Sequence, residues 1–465
     1  MKLYNPDTIV AISTALSDAA ISLIRISGEK SFEIVNRIFK KKKSSSQKFD
    51  VDKHKSHTIH FGYIYDNDEI IDEVLLYIYK KPNSYTGENL IEISCHGGVY
   101  VTRRIFSLII KNGARHAEPG EFTKRAFLNG KMDLAQAEAV ADLIKSRTDL
   151  AYKSSISQLE GSLSDFIKSS REELIKIISL IEIELDFSEE DIEFIKKSEL
   201  KDKINSLREK YIKLINSFIE GRIIRDGLNL VIAGKPNSGK SSLFNSLLSS
   251  NRAIVSDLPG TTRDYLQENL VIGGILFNLI DTAGLRFTKD EIESEGVKRS
   301  YEKIKEADLI LFLIDSTSNP KEIEENYKYF KEEFDTDNAI LCFTKTDLEM
   351  QISYDYINEK KGIPVSIYNI HLLNNLKQIM VERFSHVQIS QSKSEIVLTN
   401  IRHKDCLERV VDSLDKAIES IDAGMSGEFI SVDLRNAINH LGEITGEFTN
   451  EEVLNYIFSK FCIGK

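Results

Sequence analysis

Apolar positions along the chain fall into three textures. Over residues 1–118 they gather in short runs rich in β-branched and aromatic residues (DTIVAIST, AISLIRIS, EVLLYIYK, LIEISCHGG), each bounded by Gly, Pro, Asn or Asp. Such runs predict strands. Helical spacing near 29–41 and 99–113 makes this stretch a mixed α+β domain. Over 225–380 the runs LNLVIAG, ILFNLID, DLILFLID and NAILCF alternate with helical segments, which predicts a parallel sheet with crossover helices.

The third texture is helical. Prolines stand at 6, 82, 119, 236, 259, 320 and 364, leaving 120–235 and 365–465 without one. In the first stretch Leu174, Ile177, Ile178, Ile181 and Leu185 recur at three- and four-residue spacing, so they share one helix face and belong in a core. In the second, Thr449 followed three residues later by Glu452 reads as a capping box, opening a last helix through Val453, Ile457 and Phe458. An α/β unit between two helical stretches predicts an insertion into one helical domain. The expected organisation is a 1–118 domain, helical segments at 119–224 and 381–465, and an α/β domain at 225–380.

Composition adds exclusions. A chain of 465 residues suits about three domains. Its net charge of −11 argues against a protein held to nucleic acid by its whole surface, while leaving room for a local basic patch. No apolar run approaches the roughly 18 residues of a membrane span, and Asp7 and Asp18 break up any signal-peptide core. Cys95, Cys342, Cys406 and Cys462 are far apart and form no CxxC pair, so neither a disulfide framework nor a cysteine zinc site is predicted. A cytoplasmic protein with no membrane partner is expected.

One loop carries recognisable chemistry. After the strand LNLVIAG come Gly234-Lys-Pro-Asn-Ser-Gly239-Lys240-Ser241 and a helical pattern. Glycines at these positions let consecutive N–H groups and a helix N-terminus face phosphate oxygens. Lys240 would neutralise the β- and γ-phosphates, and the Ser241 hydroxyl would ligate Mg²⁺. Asp281-Thr-Ala-Gly284 ends a later strand, where a carboxylate holds Mg²⁺ through water. Gly260-Thr261-Thr262-Arg263-Asp264 lies between the two. Thr344-Lys345-Thr346-Asp347 follows NAILCF; an Asp there accepts two hydrogen bonds from guanine that adenine cannot supply. The ordered set predicts GTP rather than ATP.

These motifs resemble the Ras-like GTPases of the translation-factor class, with two departures. Thr344 stands where the base-reading motif starts with Asn, which predicts a weaker tie between phosphate loop and base. Leu285 stands where Ras-type enzymes carry a water-orienting Gln. The flanking segments SYTGENLIEISCHGG, EPGEFTKRAFLNGKMDLAQAEAVADLI, PNSGKSSLFN, GTTRD and GEFTNEEVLNYIFSKFCIGK narrow the resemblance to the tRNA-modification GTPase MnmE (TrmE) family, from about residue 5 to the last. Where that family carries a Pro/Gly/Arg-rich loop before its IRxSG strand, this chain reads ALSDAAISLIRISG.

The resemblance implies a multidomain protein: an α+β folate-binding N-terminal domain, also used for dimerisation, an all-α helical domain, and an inserted α/β Ras-like P-loop GTPase domain. It implies GTP or GDP contacts at Asn237, Ser238, Gly239, Lys240, Ser241 and Ser242, at Ser256, Asp257, Leu258, Pro259, Gly260, Thr261 and Thr262, at Asp281, Thr282, Ala283 and Gly284, and at Thr344, Lys345, Asp347 and Ser366. Ser241 and Thr262 would hold Mg²⁺. Asn237, Ser256, Leu258 and Thr261 would hold K⁺, whose charge replaces an arginine finger. Glu293 would orient the attacking water, with Asn237 and Lys240 completing the catalytic set; by itself Glu293 reads as one solvated carboxylate in a charge run.

Arg25, Glu92, Lys131 and Lys465 would contact a 5-formyltetrahydrofolate or related folate. His96 reads as part of a strand-ending turn rather than a metal ligand, since no fitting partners stand nearby in sequence. Cys462 reads either as a small buried residue or, through the resemblance, as a functional thiol near the folate. Lys40 to Lys43 form a basic run, by default solvated, with an RNA contact as the second reading.

The resemblance further implies a K⁺-activated homodimer acting with an FAD-dependent partner of the MnmG (GidA) type on the wobble uridine of tRNA. Two other functions compete. A ribosome-assembly GTPase predicts an RNA-binding module or a duplicated GTPase domain, and the chain holds one P-loop and no such module. A stand-alone folate-dependent RNA transferase regulated by GTP predicts modification without any flavoprotein.

Overall fold

The computed structural model describes residues 7–43, 49–186, 196–251, 267–280, 307–334, 338–384 and 396–465. The chain divides into two compact units, one made of Met1–Ile144, Ser155–Tyr211 and Asp405–Lys465, the other of Lys145–Ser154 and Ile212–Lys404. The second is wider than the 225–380 stretch marked by strand–helix alternation.

The first unit holds a seven-stranded sheet: β1 (Ile9–Ile12), β2 (Ile21–Ser27), β3 (Phe39–Lys40), β4 (Thr58–Asp66), β5 (Glu69–Tyr79), β6 (Leu90–His96) and β7 (Arg115–His116), in the spatial order β3-β4-β5-β6-β2-β1-β7. Neighbours are antiparallel except β1 and β7. The four expected runs lie on β1, β2, β5 and β6. Strand β4 shows no such run, because TIHFGYIYD interrupts its apolar positions with His and Gly. Its hairpin to β5 turns through Asn67 and Asp68, with Asn67 at φ 54°, a left-handed conformation that Asn tolerates.

Alternation along the strands sorts the sheet's faces. Ile24, Ile26, Leu76, Ile78, Ile91 and Ile93 point to one face and are buried with residues of the helices Ser31–Ile38 and Val99–Lys111. The intervening positions point the other way. Arg25 and Glu92 are direct cross-strand partners there, and Tyr77 faces Glu92 from β5.

The helical part of this unit packs as the apolar stripe predicts. Leu174, Ile177, Ile178 and Ile181 are buried on the helix Ser162–Asp186, which packs on the helix Gly427–Thr445. A side chain at Gly427 would come within 2.8 Å of Ile181, so the close approach needs glycine. The last helix, Glu451–Ser459, buries Leu454, Ile457 and Phe458 against Leu134 and Ala137. Its cap corrects the expected capping box. Asn450, not Thr449, accepts from the Val453 N–H at 2.8 Å, while Thr449 donates back to the Gly446 oxygen. The helix thus starts one residue later, and Val453 is exposed rather than in the core.

A buried ion cluster fastens the start of the sheet to the helix Glu121–Leu128. Arg125, 2% exposed, pairs with Asp7 at 2.7 Å, Glu121 at 2.9 Å and Glu88 at 3.2 Å. Arg115 joins Asp7 at 2.6 Å and Glu121 at 2.7 Å. Two arginines against three carboxylates give every buried charge a partner.

The second unit holds β8 (Leu228–Gly234), β9 (Gln267–Ile272), β10 (Ile275–Ile280), β11 (Leu309–Asp315), β12 (Ala339–Thr344) and β13 (Ile363–Pro364), in the order β13-β12-β11-β8-β10-β9. The sheet is parallel except at β9, which runs antiparallel to β10. This corrects the all-parallel expectation at one edge. Gly273 and Gly274, at φ 57° and 83°, make the two-residue hairpin that reverses the chain. Strands β8, β11 and β12 are almost wholly buried, with apolar clusters on both faces, as parallel strands covered by helices must be. Among the described residues no helix is long and apolar enough to cross a membrane.

Candidate functional site

In an open parallel sheet, ligands bind beyond the carboxyl ends of the strands. Here Gly234 ends β8, Asp315 ends β11 and Thr344 ends β12, and register sets them side by side: Leu313 faces Gly234 and Asp315 faces Thr344. The phosphate loop leaves β8 through Gly234 at φ 143°, Asn237 at 65° and Gly239 at 95°. A Cβ on Gly234 would lie 2.5 Å from the Leu313 oxygen, so no other residue fits. The helix Lys240–Asn251 starts at once, directing its free N–H groups back at the loop.

Side chains of the loop divide by exposure. Asn237, Ser241 and Ser242 are exposed, and Ser238 is buried. The Ser238 hydroxyl has no hydrogen-bond partner among the described residues. Lys240 donates to the oxygens of Gly234 and Lys235, both at 2.8 Å, and burial pushes its pKa down. An ammonium folded onto its own loop is in reach of a phosphate held in the same curl.

The Thr344–Asp347 segment is tied to this loop. Thr344 Oγ1 donates to the Ser238 oxygen at 2.7 Å and lies 3.3 Å from the Ile314 oxygen. The tie expected to be weakened by threonine is present, as a short hydroxyl donation. Lys345, at φ 57°, pairs through Nζ with Asp315. Burial alone would raise the Asp315 pKa; hydrogen bonds from Lys345 and Thr317 outweigh it and hold it below the usual range. Thr346 bonds the Val365 oxygen, and the buried Ser366 accepts from the Tyr368 N–H at 3.1 Å. Asp347 is exposed, with no hydrogen bond or ion pair among the described residues. The site therefore offers a cradle of donors at one end and a free carboxylate acceptor at the other.

The remaining predicted positions, Ser256, Asp257, Leu258, Pro259, Gly260, Thr261, Thr262, Asp281, Thr282, Ala283, Gly284 and Glu293, lie outside the described residues. Of the implied ion ligands, the exposed Ser241 hydroxyl at a helix start suits Mg²⁺ and the exposed Asn237 amide oxygen suits K⁺, since both cations take oxygen donors. No cluster of three or more His, Cys, Asp or Glu that could hold a metal occurs among the described residues.

A second constellation lies on the opposite face of the N-terminal sheet, where the Arg25 and Glu92 side chains are only 12% and 14% exposed. Arg25 bonds Glu92 through Nε at 2.8 Å and Nη2 at 2.7 Å, and Tyr79 reaches the same carboxylate at 3.5 Å. The Arg25 guanidinium stacks on Tyr85 at 5.1 Å and Phe122 at 5.6 Å. Its Nη1 also donates to the Gly464 oxygen at 3.3 Å. Burial, with Arg25 adding to it, pushes the Lys465 pKa down. Arg25, Glu92 and Lys465 are thus brought together. Lys131 instead bonds the Pro82 oxygen at 3.3 Å, and no hydrogen bond or ion pair joins it to the other three among the described residues. Cys462 is a free, exposed thiol, against its reading as a small buried residue. Tyr79, Tyr85, Phe122 and Gly464 were not singled out from sequence. In the structure Gly464 adopts φ 97°, and a Cβ there would lie 2.9 Å from the Ile12 oxygen.

His96 ends β6, exposed, and bonds Asp72 through Nδ1 at 2.6 Å; that bond raises its pKa.

Comparison with known proteins covers the whole chain. Residues 134–462 match the family model for the MnmE helical domain, and residues 8–131 match that for the GTP-binding protein TrmE N-terminus. The chain is 44% identical to the tRNA modification GTPase MnmE of Acetivibrio thermocellus, across 100% of both chains. It is 42% identical to that of Alkaliphilus metalliredigens, again across 100% of both, and 42% identical to that of Flavobacterium psychrophilum, across 99% of both. Among solved structures, the G domain of the T. maritima FeoB iron transporter is similar at 28% identity, covering 34% of this chain and 98% of that one with a TM-score of 0.26.

Proposed function

This chain belongs to the MnmE family of tRNA modification GTPases, and from that premise we propose that it hydrolyses GTP in the service of tRNA modification. The observation that carries the reading is the phosphate loop joined to its base reader through Thr344 and Ser238. In this reading the loop N–H groups and Lys240 hold the β- and γ-phosphates, and Asp347 accepts from guanine. Ser241 and Thr262 hold Mg²⁺, and Asn237, Ser256, Leu258 and Thr261 hold K⁺. These cations supply positive charge against the transferring phosphoryl group. Leu285 has no polar group with which to orient water, so Glu293 takes that task.

The same reading extends to the partner chemistry. Two copies pair, their GTPase domains facing one another, and the dimer works in the cytoplasm with an FAD-dependent protein of the MnmG type. Together they build an aminomethyl-type group on carbon 5 of the wobble uridine, with the carbon drawn from a tetrahydrofolate. A face combining Arg25, Glu92 and the Lys465 ammonium complements a pterin and its acidic tail.

The test has two arms. GTP turnover should be fast in K⁺ and slow in Na⁺, with Asn237→Ala abolishing the difference. Equal rates in both salts, with the variant silent, would remove the cation from the mechanism. Nucleoside analysis of tRNA from cells lacking the chain should show wobble uridines stripped of their carbon-5 group; intact nucleosides would overturn the tRNA assignment.

A further inference from the structure

We propose that the β3 edge of the N-terminal sheet, centred on Lys41 and Lys42, is a docking surface for the phosphate backbone of RNA. The inference rests on the reading above in that it takes tRNA as the substrate, and it adds where on the chain that polyanion is held. Over residues 40–43 and 49–55, Lys40, Lys41, Lys42, Lys43, Lys53 and Lys55 face only Asp50 and Asp52, in a chain whose net charge is −11. Lys80 and Lys81 join them across the fold, since Lys80 Nζ donates to the Asp52 oxygen at 2.9 Å.

Partners separate the structural lysines from the free ones. Lys40 lies over the Tyr65 ring at 4.3 Å, Lys43 pairs with Glu73 at 3.5 Å and Lys53 pairs with Asp50 at 3.4 Å. Lys41, Lys42, Lys55 and Lys81 are exposed, and their ammonium groups meet no carboxylate among the described residues. Beneath them Phe49 stacks on His54 at 4.7 Å, and His54 packs on His60 at 4.2 Å. This ring pile fixes the 49–60 segment. Burial first, and Lys41 among the nearby charges, hold the pKa of His54 and His60 down.

Lysines on an edge strand also discourage edge-to-edge pairing, and β3 is such an edge. That duty would need one or two residues on the strand. It does not call for Lys41, Lys42, Lys55 and Lys81, which lie off it. Unpaired ammonium groups on a preorganised surface of an otherwise acidic protein are what a polyanion is steered toward.

The experiment is binding of a fluorescent tRNA transcript to the full-length chain across a KCl series. It compares the unaltered protein, the double variant Lys41→Ala/Lys42→Ala, and a charge-matched control, Lys321→Ala/Lys328→Ala, on the helix Pro320–Glu333 of the second unit. The first variant should weaken binding by about fivefold or more and lower the log–log salt slope by about two, with GTP hydrolysis unchanged. The control should match the unaltered protein. Equal binding by the Lys41/Lys42 variant overturns the docking surface and leaves the tRNA reading standing. Equal losses in the control, or loss of binding to phosphatidylserine vesicles in place of tRNA, overturn it too. Failure of the unaltered protein to bind tRNA overturns both.

Discussion

Thr344 donates its hydroxyl to the backbone oxygen of Ser238 over 2.7 Å, joining two loops 106 residues apart in sequence. Both residues are buried, so the bond is shielded from water. Losing it leaves a buried carbonyl unsatisfied, a cost of about 1–3 kcal/mol. Thr344→Val should lower the urea midpoint of the second unit and weaken GDP binding together, whereas Thr344→Ser should restore both. A Val variant with unaltered GDP affinity would show that the tie is dispensable.

Asp347 is exposed and makes no hydrogen bond or ion pair among the described residues, which leaves its carboxylate open to accept. Replacing it by Asn exchanges an acceptor for a donor, so Asp347→Asn should lose GTP affinity by roughly 100-fold or more and gain affinity for xanthosine triphosphate. Competition between the two nucleotides for a fluorescent analogue reads this directly, and retention of GTP preference would exclude Asp347 as the base reader.

Gly464 sits at φ 97°, with no room for a Cβ beside the Ile12 oxygen. Gly464→Ala should push the 462–465 segment off the sheet and take the Gly464 oxygen away from Arg25. Folate binding, followed by calorimetry, should fall sharply while GTP turnover of the same preparation stays normal. Unchanged folate affinity would detach the segment from that site.

Arg125 should tolerate replacement poorly. Arg125→Met strands Glu88 and part of the charge of Asp7 and Glu121 in a buried setting, at a cost of about 3–5 kcal/mol. The pH dependence has a definite sign. Burial alone would raise Asp7 and Glu121, but their arginine hydrogen bonds outweigh it and hold both low. Their contribution is therefore complete above the ordinary carboxylate range and is lost as pH falls through their depressed values. Glu88 is raised by burial, so its contribution runs the other way and is lost as pH rises through its raised value. Thermal melts from pH 3 to 7 should show acid unfolding of the first unit at higher pH in Arg125→Met than in the unaltered chain. An unshifted acid limb would mean that the cluster does not govern it.

How much of this was readable beforehand depended on the kind of signal. The phosphate loop was legible because its glycines are forced: Gly234 lies against the Leu313 oxygen and Gly239 is at φ 95°. Parallel strands announced themselves as unbroken apolar runs. Strand β9 did not, since an edge strand needs no such run, although the Gly273-Gly274 pair between β-rich segments is itself a hairpin signal. The helix start at Asn450 was missed because Thr449 and Glu452 also fit a cap, and only backbone geometry chooses between them. Arg25 with Glu92 was expected from resemblance, but their pairing follows from register, and register is set by long-range contacts that spacing along the chain does not encode.

The hydrogen bond from Arg25 to Gly464 spans 439 residues. On a ribosome adding some 5–20 residues each second, the strand bearing Arg25 waits on the order of a minute before its partner is even synthesised. The second unit lies wholly within that interval and can fold while the Arg25–Gly464 contact is still unmade. A nascent polypeptide therefore gains its phosphate loop before its last residues can reach Arg25, and a ribosome stalled late in the message would display the first without the second.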